Sequence, residues 1–132
     1  MRLVLDCNVI IAAGLIAGTS RRVVEAAVRE HTLIVCDEII GEYRAVAVRP
    51  KFRRAWSVLD ELISIVEAVS LSVEPSPLRV SLPDPADDVY LAAAIAGGAQ
   101  ALITGTTASK PGTTTIAFVL KLTLGRLSLV DR

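Results

Sequence analysis

The stretch Leu3-Val4-Leu5-Asp6-Cys7-Asn8-Val9-Ile10-Ile11 decides how this chain is read. Its opening apolar run predicts a short buried strand over residues 2–6, with Asp6 at the C-terminal tip. A carboxylate at the tip of a buried strand is costly unless a metal ion, a cation or a hydrogen-bond cluster receives it. In open α/β sheets that edge is also where ligand sites form. Two further acidic clusters, around Glu42 and around Asp88, each fall at the start of a predicted helix. Separated carboxylates that a sheet can gather at one edge suggest a metal site.

Outward from Asp6, residues 8–17 are apolar and predicted helical, closing at Gly18. Thr19 or Ser20 is expected to cap a second helix through Arg29, with Val23, Val24, Ala27 and Val28 at helical spacing. Thr32–Cys36 predicts a second strand. Asp37 is expected to cap a helix bearing Ile39, Ile40, Tyr43, Val46 and Ala47 on one face, stopping before Pro50. Phe52–Val66 predicts another helix, with Trp56, Leu59, Leu62, Ile63 and Val66 in phase, and Ala68–Val73 a third strand. The stretch from Glu74 to Pro85 holds four of the six prolines and reads as an extended connector. Asp84-Pro85-Ala86-Asp87 signals a helix start, with Asp84 as cap and Asp87 in the first turn. That helix should run to about Ala96, end at Gly97-Gly98 and lead into a strand, Ala101–Thr104. Thr106–Thr115 is a polar loop. Ile116–Leu124 alternates as a strand does, although the run also permits a helix, and Leu127–Val130 reads as a final strand.

Alternating strands and helices with short links predict an α/β fold, a mostly parallel central sheet between helices. At 132 residues a single domain, 1–132, is expected. Hydrophobic residues make up 52% and aromatics only 4%, so the core must be aliphatic. Some of that apolar surplus is expected to cover a subunit interface, which predicts a homodimer. Formal net charge is zero, which excludes a polyanion-binding character for the molecule as a whole. Locally, Arg44, Arg49, Lys51, Arg53 and Arg54 form a run without acids, a solvated face or a phosphate-binding stripe. Cys7 and Cys36 flank apolar runs and are expected to be reduced and buried. No signal peptide or membrane-length apolar run is visible, so a cytoplasmic protein is expected, without a membrane partner.

These residues carry a resemblance to the PIN-domain family, and within it to VapC-like toxin components of toxin–antitoxin pairs. The matching segments are LVLDCNVII at Leu3–Ile11, DEIIGEY at Asp37–Tyr43, RPKF at Arg49–Phe52, DPADDVYLAAAIAGGA at Asp84–Ala99 and ALITG at Ala101–Gly105. The resemblance covers residues 1–105 in the family's order, and residues 106–132 form a divergent tail. It implies a three-layer α/β/α sandwich and a metal-dependent endoribonuclease that cleaves RNA with a metal-activated water. It further implies Asp6, Glu42 and Asp88 as catalytic acids and metal ligands, with Mg²⁺ or Mn²⁺ as cofactor. Asn8, Thr104, Asp84 and Asp87 would support them, and RNA and a cognate antitoxin would be the partners.

Each residue also has a plainer reading. Asp6 could be a cap or ion-pair partner, Glu42 a solvated helix residue sharing its face with Glu38, and Asn8 a loop hydrogen-bonder. The sequence departs from the family at Thr106, where an aspartate usually follows the Thr-Gly pair. Losing that acid should weaken metal affinity. It raises the alternative of a catalytically impaired PIN-fold module that acts by binding RNA or a partner protein.

Overall fold

The computed structural model describes residues 1–77, 88–105, 117–123 and 126–130. Strand β1 (Arg2–Leu5) is followed by helices α1 (Cys7–Leu15) and α2 (Thr19–Glu30), strand β2 (Thr32–Val35) and helix α3 (Asp37–Ala47). A 3₁₀ segment, Pro50–Ala55, leads into α4 (Trp56–Val69) and the two-residue strand β3 (Leu71–Ser72). Helix α5 (Asp88–Ala96) and strands β4 (Ala101–Gly105), β5 (Ala117–Thr123) and β6 (Arg126–Val130) complete the order. The sheet runs β3-β2-β1-β4-β5-β6. Its first four strands are parallel, and β5 and β6 add antiparallel at one side. Helices cover it in a three-layer α/β/α arrangement, as expected.

The apolar runs explain this order. Leu3, Val4 and Leu5 of β1 and Leu33, Ile34 and Val35 of β2 are all buried, the continuous pattern of strands covered on both faces. Helix α5 is apolar nearly all round, with Tyr90 through Ala94 buried, and it packs on β1, β2, β4 and α3. Its end demands glycine twice. Gly98 has a left-handed φ of 63°, and a Cβ on Gly97 would lie 2.6 Å from Cγ2 of Ile34.

Several boundaries differ from expectation, each for a physical reason. Neither Thr19 nor Ser20 caps α2: Gly18 is the cap residue, and no side-chain cap bond forms. Cys36 occupies the cap position of α3, so Asp37 and Glu38 enter its first turn, where their charge still faces the positive helix end. Residues 52–55 are 3₁₀ because Pro50 starts a tight turn, and α4 begins only at Trp56. Trp56 itself is 41% exposed, its indole N–H donating to the Arg49 carbonyl at 3.2 Å. Helix α4 then continues through Val69, which takes residues 68 and 69 from the predicted third strand and leaves β3 as a short edge. The strand reading of 117–123 and 126–130 holds. The predicted cap at Asp84, the acid at Asp87, residues 78–85 of the connector and the loop 106–115 lie outside the described residues.

Because Ile34 is β-branched and buried, the clash at Gly97 has little room to relax. Gly97→Ala should destabilise the fold by about 1–3 kcal/mol, the usual cost of overpacking. Denaturant melts would show a lowered midpoint; an unchanged midpoint would mean that Ile34 or α5 moves at no cost.

Candidate active site

In a parallel sheet the C-terminal ends of β1, β2 and β4 share one edge, and the pairing register decides what meets there. Leu5 pairs with Ile103, so the next residues, Asp6 and Thr104, fall level with each other. The Asp6 amide donates to the Ile103 carbonyl at 2.9 Å, extending the ladder by one bond. Asp6 then turns outward as the cap residue of α1, with its carbonyl accepting from Val9 at 3.1 Å. Its side chain makes no cap bond. Instead the Thr104 hydroxyl donates to Oδ2 of Asp6 at 3.1 Å, and Asp6 is only 8% exposed. The carboxylate is therefore held at the edge by the neighbouring strand.

Glu42 reaches the same region from α3, five residues after Asp37, and is half-buried. The Tyr90 hydroxyl of α5 donates to its Oε2 at 2.7 Å. The adjacent Tyr43 is fully buried, and its hydroxyl donates to the Leu5 carbonyl immediately before Asp6. Tyr90 and Tyr43 thus tie α5 to α3 and α3 to the tip of β1.

Cys7 marks the convergence. Burial pushes its thiol from the ordinary 9.0 up to about 12, and the negative fields of Glu42 and then Asp6 push the same way. The positive charge of Arg49 opposes them. The Tyr43 phenol is also raised, by burial first and then by Cys7, Asp6 and Glu42. Both Cys7 and Cys36 are free, buried thiols, as expected from the sequence.

Asp88 opens the described part of α5, half-buried and two residues before Tyr90. Among the described residues no three His, Cys, Asp or Glu side chains are gathered closely enough to hold a metal ion by themselves. Asn8 is exposed on the first turn of α1. Arg44 makes ion pairs with Asp60 at 3.3 Å and Glu67 at 3.6 Å, tying α3 to α4. Arg49, Lys51, Arg53 and Arg54 are exposed on and beside the 3₁₀ segment. Lys51 to Arg54 help line a shallow cleft of about 200 Å³.

The donors at this edge are carboxylates and hydroxyls, the all-oxygen set that suits Mg²⁺ or Mn²⁺ rather than a soft ion. The single hydroxyl on Glu42 takes one of about four lone-pair positions of a carboxylate and leaves ligating capacity. A hard cation completed by water fits this donor set.

Comparison with known proteins places the fold. The model of the PIN domain family matches residues 2–108, so the chain belongs to the PIN domain family. Members are generally nucleases and typically use divalent metal ions. No curated protein and no solved structure matches the chain. Among the described residues no single helix is long and apolar enough to cross a membrane.

From the sequence, Tyr43 reads only as part of an apolar helix face, and Tyr90 is not a site candidate. At helical spacing a tyrosine reads as core, and nothing in the linear order of residues shows that its hydroxyl meets an acid. Position 90, two residues after Asp88, was the one available signal.

The Cys7 thiol predicts a chemical outcome. Its proton is held in the folded chain while the unfolded thiol ionises near 9.0, so this contribution to stability is complete below pH 9 and is lost as pH rises toward 12. At pH 8 iodoacetamide should label neither cysteine in native protein and both in guanidinium, as mass spectrometry would show. Rapid native labelling of Cys7 would contradict its burial.

Proposed function

We propose that this PIN domain is an endoribonuclease dependent on Mg²⁺ or Mn²⁺. Asp6, Glu42 and Asp88 are its ligating acids, with Asn8, Thr104, Asp84 and Asp87 in support. The observation that carries this reading is the meeting of Asp6 with Thr104 and of Glu42 with Tyr90 around the thiol of Cys7. A divalent cation bound there supplies Lewis acidity, which lowers the pKa of water and offsets charge developing on a phosphodiester. The chain's own groups do the holding. Thr104 orients the Asp6 carboxylate, Tyr90 orients that of Glu42, and the edge collects negative charge that an RNA alone would avoid. The exposed Arg49, Lys51, Arg53 and Arg54 support a phosphate-binding stripe.

The same reading takes the chain as the toxin of a toxin–antitoxin pair, acting in the cytoplasm as a homodimer and restrained by a cognate antitoxin. Its support is the order of motifs in the sequence together with exposed apolar surface. Val58, Ile65, Leu15 and Ile16 are all at least 42% exposed. A cleft of about 310 Å³ between α1, α2 and α4 has an apolar floor that includes Val24, Val58, Leu62 and Ile65, edged by Arg21, Glu25 and Glu61, a seat for a partner segment.

Asp6→Asn tests the reading, because the amide oxygen can still accept from Thr104 while the charge is gone. Mn²⁺-dependent cleavage of RNA should fall roughly 100-fold or more, with the melting temperature little changed. Undiminished cleavage would sink the assignment. The impaired-module reading rests on Thr106 and on the lack of a ready three-ligand group among the described residues. It is favoured if calorimetry finds no Mn²⁺ binding to the wild type and Thr106→Asp restores it.

The phosphate-binding stripe has its own check. Arg53→Glu with Arg54→Glu should flatten the slope of log affinity for single-stranded RNA against log salt by about 1.4, from two lost contacts. An unaltered slope would remove these residues from the interface.

A further inference from the structure

We propose that Tyr90 is a positioning residue that presents the Glu42 carboxylate to the cation, an inference resting on the reading of Glu42 as a ligand. The phenol is 1% exposed, and its hydroxyl donates to Oε2 of Glu42 at 2.7 Å from another helix. A glutamate on a helix surface has three freely rotating bonds, and a ligand that must be ordered at the moment of binding binds more weakly. The Tyr90 side chain is buried in the core cluster, so its hydroxyl is a fixed point. One bond to that point fixes one carboxylate oxygen and leaves the other lone pairs for a ligand.

The contrast with Tyr43 argues against a merely structural role. Tyr43 is equally buried, and its hydroxyl is satisfied by the Leu5 backbone carbonyl, the ordinary solution for a buried phenol. Tyr90 is satisfied by an acidic side chain that is only half-buried. The bond also joins α5, which carries Asp88, to α3, which carries Glu42.

The test is Mn²⁺ titration of wild type and Tyr90→Phe by calorimetry, with tyrosine difference absorbance followed on the wild type. The ring is kept and only the hydroxyl removed. The Mn²⁺ dissociation constant should rise about three- to tenfold, while the metal-free melting temperature falls only slightly. Adding Mn²⁺ to wild type should perturb a tyrosine band, and Tyr43→Phe should leave that signal in place. A dissociation constant within twofold of wild type overturns the role of Tyr90 and leaves the nuclease reading standing. Wild-type binding with no tyrosine perturbation overturns it equally, even if Tyr90→Phe fails to fold. No Mn²⁺ binding to wild type overturns the nuclease reading, and this inference with it.

Discussion

Burying the Asp6 carboxylate at the end of a central strand is the constraint around which the neighbouring structure is arranged. An ionised carboxylate taken out of water costs several kcal/mol unless donors replace the solvent. The strand neighbours on either side are β2 and β4, so the sheet can provide such a donor only where a strand end brings a hydroxyl level with it. Thr104 is that hydroxyl, placed by the Leu5–Ile103 register. A charge-assisted bond of this type contributes about 1.5–3 kcal/mol, which offsets part of the burial cost.

The same logic extends outward through hydroxyls. Tyr43 secures the backbone just before Asp6, and Tyr90 secures Glu42, so the chain's two tyrosines both serve this edge. Both rings belong to the core cluster, so the aliphatic core itself holds the hydroxyls that meet this edge. Glycine serves the packing behind it. At Gly97, helix α5 lies close enough on Ile34 that no side chain fits between them.

Charge is distributed with equal economy. Arg44 binds α4 through Asp60 and Glu67, exposed pairs each contributing at most about 1 kcal/mol. Arg49 is exposed, and its positive charge opposes the upward push on the Cys7 thiol. A net charge of zero then reflects internal balance, with local fields of both signs side by side.

Much of this fold was legible in the linear chain because its cause is local. Short aliphatic runs bounded by polar residues, such as Leu3–Leu5 and Leu33–Val35, fit buried parallel strands, and Gly98 ends helix α5 through glycine's own backbone freedom. Boundaries set by neighbours were harder to read. Whether 68 and 69 belong to α4 or β3 depended on what the helix packs against, and Trp56 looked like core until its indole found the Arg49 carbonyl. For the site, the residue types and the strand-tip position of Asp6 could be read directly, since an acid closing a buried run is anomalous in itself. The contact of Thr104 with Asp6 spans 98 positions and that of Tyr90 with Glu42 spans 48. Strand register and helix docking alone decide such contacts, because a hydrogen bond depends on distances that no spacing along the chain encodes.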